Sequence, residues 1–214
     1  MIRNNLAILN IIEQYQTNKK GADVFLKTLE PGEKLLQQGT TLHYVYVIRE
    51  GISKCYLTEN NGKDFIFEFL GAGEIVGEIE FIKHTRCLCN IEALTSLTVY
   101  CITYDYFSQL IRINQPFNTL LLDVLVTRIY HTSERASYQQ RYPAEYNTLK
   151  LLSLLAAHQI VLSKKDLADY LAVSIRSFNR TLKDLRNKSI LHPEDFNLYM
   201  DKVELNKLLH QYED

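Results

Sequence analysis

Between Gly71 and Leu94 the chain reads GAGEIVGEIEFIKHTRCLCNIEAL, a segment with residues suited to holding a small anion. Its close-set glycines allow a turn whose backbone N–H groups converge. Glu78 follows directly after Gly77 in this turn. A phosphate would want an arginine, whose planar fork carries charge and two parallel donors. The segment has one, Arg86, followed by Cys87, Leu88 and Cys89, with Thr85 before it and no hydroxyl residue just after. A phosphorylated ligand, a metal and no ligand all remain open for this stretch.

The second group of chemically suggestive residues lies in LSKKDLADYLAVSIRSFNRTLKDLRNKSIL, Leu162 to Leu191. The pattern predicts two short helices and a tight turn. Ser163 caps the first, with Asp166 as an acidic capping-box partner, and Ser174 caps the second. Leu167, Leu171 and Val173 supply apolar contacts, and Ala168 is small where the helices approach. Phe178 and Leu182 turn the second helix toward a core. Ile175, Arg176, Ser177, Asn179 and Arg180 then lie on or beside a free face, with Lys183 one turn on. Such a face fits a DNA major groove, where arginine can grip the guanine O6/N7 edge. From Ser174 to Lys188 five basic residues stand against Asp184 alone, a local charge of +4. Ala172 occupies the turn position that ordinarily takes glycine, so it must accept a strained backbone or the turn must differ.

Other chemistry is less well supported. The cysteines, Cys55, Cys87, Cys89 and Cys101, lack CxxC spacing, and the spacing puts Cys87 and Cys89 on one face of a strand. They read as small packed apolar residues, with a thiol sensor or metal site as the alternative. His43, His84, His131, His158, His192 and His210 are scattered, without HxH or HExxH. Glu78, Glu80 and His84 come nearest to a catalytic cluster, and no convergent triad is visible, so no enzyme activity is expected.

The elements that must position these residues change character near residue 105. Before it, β-branched and aromatic runs such as YVYVIREG, CYL and FIFEFL alternate with turn signals, and Asn61-Gly62 marks a hairpin. A helix precedes them over Asn5 to Tyr15. From Tyr104 the period is helical: YDYFSQLIRI, then a long helix after Pro116, ended by Pro143. Leu121, Val124, Leu125, Ile129 and Thr132 share one side of that helix, widened by Leu120 and Leu122. This excess apolar surface predicts pairing with a second copy. AEYNTLKLLSLLAAH gives a further helix, LHPEDFNLYMDK a small wing, and VELNKLLHQY a closing helix. The fold class is α+β: an antiparallel β-roll or sandwich, a long dimerisation helix and a C-terminal winged helix-turn-helix.

Overall composition is that of an ordinary globular chain, 46% hydrophobic and 23% charged over 214 residues. Lys and Arg (24) nearly cancel Asp and Glu (25), so a nucleic-acid role must rest on a local patch. No run reaches the roughly 18 apolar residues of a membrane span, and the cysteine usage suits the cytoplasm.

This order of parts resembles the CRP/FNR family of bacterial regulators, from about residue 22 to 212. Gly39, Gly51, Gly73 and Gly77 sit at the turn positions of that family's cyclic-nucleotide-binding roll. The resemblance implies a β-roll effector domain over residues 1–115, a dimerisation helix over 116–141 and a DNA-binding domain over 142–214. It implies double-stranded DNA, a second copy of the chain and RNA polymerase as partners, and no membrane. The DNA-binding residues would be Ser163, Ser174, Ile175, Arg176, Ser177, Asn179, Arg180 and Lys183. The effector pocket would be Gly77, Glu78, Ile79, Arg86, Cys87, Thr132 and Ser133. Gly77-Glu78-Ile79 matches the start of the family's phosphate cassette, and Thr132-Ser133 matches the hydroxyl pair of its dimer helix. The cassette arginine, however, aligns with Cys87 and its serine with Leu88, leaving Arg86 one residue out of register. The cofactor is therefore unknown, with a cyclic nucleotide, an altered ligand and no ligand as alternatives. An effector-sensing module acting through protein contacts rather than DNA is the alternative function.

Overall fold

The computed structural model describes residues 2–18, 23–156 and 162–212. The chain forms two compact units, Ile2–Ile129 and Tyr130–Asp214.

Among the described residues of the first unit, nine strands form two sheets: β1 (Ile2–Arg3), β2 (Val24–Leu29), β3 (Lys34–Leu36), β4 (Tyr44–Glu50), β5 (Ser53–Thr58), β6 (Asp64–Leu70), β7 (Ile75–Val76), β8 (Asn90–Ala93) and β9 (Leu97–Thr103). One sheet has the order β1-β6-β5-β8-β3 and the other β2-β9-β4-β7. Every pairing is antiparallel except the short parallel β1–β6 contact, which the sequence pattern does not announce. The Asn61-Gly62 signal marks the β5–β6 hairpin, where Gly62 takes φ 76° and its N–H bonds to the Glu59 carbonyl.

β4 explains how the unit is layered. Val45 and Val47 face a core made with α1 (Leu6–Asn18), α3 (Tyr104–Ile113) and the first part of α4 (Gln115–Arg141). Tyr46 and Ile48, on the other face, join Leu70, Ile91, Val99 and Cys101 between the sheets. A strand covered on both sides has no reason to alternate apolar with polar residues, hence the unbroken YVYVI. Asn5 opens α1 by accepting from the Ile8 N–H, and Asn114 opens α4 by accepting from Phe117 N–H. A short helix, α2 (Glu78–Lys83), follows Gly77 at φ 89°. A Cβ on Gly77 would approach Leu42 Cδ1 at 3.0 Å and the Tyr44 carbonyl at 3.2 Å, so backbone angle and space both select glycine.

The long helix divides its apolar surface differently from the expected single stripe. Leu121 and Val124 are buried in the roll's core, with Leu120 and Leu125 packed partly against it. Thr132 is exposed. Ile129 belongs instead with a second, solvent-facing stripe, Leu122 (57% exposed), Val126 (62%) and Ile129 (68%). Spacings of four and three residues put these on one face.

The second unit contains the remainder of α4, then α5 (Ala144–Ala156), α6 (Lys164–Tyr170), α7 (Ile175–Asn187) and α8 (Lys202–His210). Between α7 and α8 the wing is reduced to the bridge Leu191↔Leu198, flanked by His192 N–H to Asn197 O and Tyr199 N–H to Ile190 O. Asp201 and Glu204 form a capping box at the start of α8. His158 lies outside the described residues.

Candidate nucleic-acid interface and roll site

α6 and α7 are held as a helix-turn-helix by their caps and their buried faces. The Ser163 hydroxyl accepts from Asp166 N–H at 3.0 Å, and the Ser174 hydroxyl accepts from Ser177 N–H at 3.1 Å. Asp166 completes the first cap by a route other than the expected reciprocal bond: its carboxylate accepts from the Ser163 hydroxyl. In the turn, Ala172 adopts φ 56°, the strained conformation its identity foretold, and Val173 N–H closes onto Ala168 O at 3.0 Å. Leu167, Ala168 and Leu171 are buried beneath the turn, with Phe178, Leu182 and Leu185 from α7.

This packing settles which way α7 faces. Ser163, Ser174, Ile175, Arg176, Asn179, Arg180 and Lys183 are exposed, and Ser177 is half-buried. The basic patch is smaller than a count of residues implies. Arg186 Nε donates to the His192 carbonyl at 3.1 Å and its Nη2 to the Asp195 carbonyl, which fastens the wing to α7. Lys188 Nζ donates to both Glu145 carboxylate oxygens at 2.7 Å, tying α7 to α5. Burial raises the Glu145 carboxyl pKa, but the bonds from Lys188 and Tyr212 outweigh it and hold the pKa below the usual range. Three cations, Arg176, Arg180 and Lys183, remain on the open face.

In the roll, the structure joins Glu78, directly after Gly77, to a residue that the sequence pattern did not single out. Arg128, on α4, donates from Nη1 to Glu78 Oε1 at 2.6 Å. From Nη2 it donates to Glu74 Oε2 and to the Ile75 carbonyl, both at 2.7 Å. Its Nε lies 3.6 Å from Glu68 Oε1, and Arg3 Nε lies 2.8 Å from the other oxygen of that carboxylate. Three carboxylates thus share one buried guanidinium. Burial opposes the charge on Arg128, but Glu78, Glu68 and Glu74 more than restore it and raise its pKa. Glu78 moves up to about 7, because burial, aided by Glu80 and Glu68, outweighs the attraction of Arg128.

Most of the other expected pocket residues face solvent within their own unit. Ile79 and Arg86 are exposed, as are Thr132 and Ser133 on α4. Cys87 is buried, its N–H bonded to Thr40 O at 2.9 Å and its carbonyl receiving Gly39 N–H at 2.8 Å. These two backbone bonds hold Cys87 inward, so its neighbours Arg86 and Leu88 face out. Cys87 and Cys89 precede β8 rather than lying within it, because pairing with β5 starts only at Asn90. Among the described residues, no group of three or more His, Cys, Asp or Glu is arranged to hold a metal ion. None of the helices there is long and apolar enough to cross a membrane.

Arg128 could not have been assigned from sequence. A lone arginine between Val124-Leu125 and Ile129 hints at a buried partner, but nothing local identifies three glutamates some fifty residues away.

Comparison with known proteins bears on both sites. Residues 26–114 match the cyclic nucleotide-binding domain model, and residues 160–191 match the model for bacterial regulatory proteins of the crp family. A probable transcriptional regulator, flp, of Lacticaseibacillus casei is 27% identical over 171 residues, 77% of this chain and 78% of that protein. The cAMP-activated global transcriptional regulator CRP of Salmonella typhimurium is 23% identical over 168 residues, 73% of this chain and 80% of that one. The c-di-GMP responsive global regulator CLP of Xanthomonas campestris superposes with a TM-score of 0.77 at 19% identity, covering 90% of this chain and all of that one. With a roll of the cyclic-nucleotide-binding type and a crp-type helix-turn-helix in one chain, the protein belongs to the CRP/FNR family and is a DNA-binding transcription regulator with an effector-binding domain.

Proposed function

We propose that the protein acts as a homodimer that places α7 in the major groove of its operator. Arg176 and Arg180 read base edges there, and Lys183 meets a phosphate. Ser163, Ser174, Ile175, Ser177 and Asn179 complete the contact surface. The observation that carries this reading is the orientation of α7: Phe178, Leu182 and Leu185 are buried in the core, while its three uncommitted cations share the open side. Residues 1–115 serve as the effector domain, 116–141 as the dimerisation helix and 142–214 as the DNA-binding domain. The exposed Leu122, Val126 and Ile129 supply the seam between two copies. Family membership supports RNA polymerase as a further partner and the cytoplasm as the place of action.

The roll favours an input other than the cyclic phosphate of the parent chemistry. Glu78 is already engaged by Arg128, and the buried position where a phosphate arginine would stand is occupied by Cys87.

The test is operator binding. With a site selected from random duplexes, Arg176→Ala and Arg180→Ala should each weaken binding by about 1–3 kcal/mol while leaving the far-ultraviolet spectrum intact. Lys183→Ala should lower affinity evenly across sequences and reduce the salt dependence by about one phosphate contact. Unchanged affinity in both arginine variants would remove α7 from the interface. Weak salt dependence would favour action through protein contacts.

A further inference from the structure

α7 opens on an apolar residue left partly in water. Ser174 caps the helix by accepting from Ser177 N–H, so Ile175 is its first helical residue, and it is 44% exposed. The core side of the helix is filled further along, by Phe178, Leu182 and Leu185. A lone exposed isoleucine on a protein surface is ordinary. This one differs in its company. Exposed Asn179 stands one turn on and Lys183 another turn beyond, while Arg176 and Arg180 form the adjoining row. The helix's one carboxylate, Asp184, lies toward its far end. Ile175 is thus an apolar tip at the leading end of a surface whose free charge is positive, and duplex DNA is the occupant that matches that charge.

We infer that Ile175 is a specificity-determining residue, which seats its side chain against the C5-methyl group of a thymine in the major groove. This rests on α7 entering that groove and adds which base edge its first residue reads. The N-terminal residues of such a helix are the ones that contact base edges. Of the four bases only thymine presents an apolar group there; the other edges show hydrogen-bond donors and acceptors. Isoleucine has no hydrogen bond to give. Set against a guanine or adenine edge, it would strip water from polar atoms and return nothing. Set against a methyl group, both partners lose only contact with water.

The side chain is also fixed in advance. β-branching leaves isoleucine in a helix one strongly preferred χ1, and the Ser174 cap holds the turn that carries it. Little freedom is therefore lost on contact. Arg176 is the next residue, so the thymine should fall within about three base pairs of the guanine that Arg176 grips.

The experiment uses the full chain and an operator selected from random duplexes. Each thymine of that site is replaced in turn by deoxyuridine, which removes the C5-methyl group and leaves every hydrogen-bonding atom in place. At one thymine of each half-site the parent chain should lose affinity by about fourfold, the worth of one buried methyl. Ile175→Ala should bind the thymine and uracil duplexes equally, and a selection repeated with that variant should no longer demand the thymine. Ile175→Val, which keeps a branched apolar tip, should remain sensitive to uracil. Circular dichroism establishes folding, and Ile175→Ser replaces the alanine variant if that one misfolds. Equal binding of every uracil duplex by the parent chain would overturn the inference. So would a uracil effect of the same size in Ile175→Ala. If Arg176→Ala and Arg180→Ala still weaken binding in either case, only the methyl contact falls; if they do not, the placement of α7 in the groove falls with it.

Discussion

Ala172→Gly isolates the strain in the turn between α6 and α7. At φ 56° an L-residue pays roughly 1–2 kcal/mol that glycine escapes. Glycine in turn adds freedom to the unfolded chain, which costs about 0.4–1 kcal/mol. The Ala172 side chain is exposed, so removing its methyl group forfeits little buried surface. The balance predicts stabilisation of the Tyr130–Asp214 unit by about 0.5–1 kcal/mol. In a unit of that size the melting temperature should rise by about 2–8 °C. Scanning calorimetry of the full chain would show the gain in the transition assigned to that unit. Operator affinity should stay within about twofold, because glycine keeps the same turn. Ser189, at φ 54°, is an internal comparison, and Ser189→Gly should also stabilise. If Ala172→Gly lowered the melting temperature while Ser189→Gly raised it, the strain argument for this turn would be wrong.

Three further outcomes follow from the charges and exposed surfaces. Arg128→Met strands Glu68, Glu74 and Glu78 without their shared cation and should destabilise the roll by about 3–5 kcal/mol at neutral pH, read as a shift in the urea midpoint. Glu78 titrates near 7 in the folded chain, above its ordinary value of 4.5, so the folded state holds this proton more tightly than the unfolded state. Its contribution is therefore favourable below about pH 4.5 and is lost as pH rises to 7. Urea midpoints between pH 5 and 8 should show that slope, and Glu78→Gln should flatten it. Val126→Glu places a charge in the exposed stripe of α4 and should raise the dimer dissociation constant by tenfold or more, about 1.4 kcal/mol. An unchanged sedimentation profile at low concentration would move the interface elsewhere.

Local rules carried much of this fold. Ser163 and Ser174 mark helix starts by their own hydroxyls, and Ala172 betrays its turn by occupying a glycine position. The helix period over Tyr104–Ile113 is visible without any knowledge of its neighbours. What could not be read depends on partners distant in the chain. The faces of α4 are assigned by what covers each one: the roll takes Leu121 and leaves Ile129 in water, although the period alone puts both on one side. The basic count on α7 overstated the interface because Arg186 and Lys188 are committed to a wing and a helix that composition cannot place. Arg128 was invisible for the same reason. β1 was missed because Ile2 and Arg3 are too few to show any period.

The fastening of the wing by Arg186 has a consequence for approach from a distance. The loop it secures carries Glu194 and Asp195 at the surface, while the uncommitted cations of the neighbouring helix carry the opposite sign. A negative rim held still beside a positive ridge makes a fixed local dipole. A polyanion drifting past is pulled toward the ridge and turned away from the rim, so its heading is biased before any atom touches. Loosening the rim would blur that bias and slow productive arrival, even though no attractive contact had been removed.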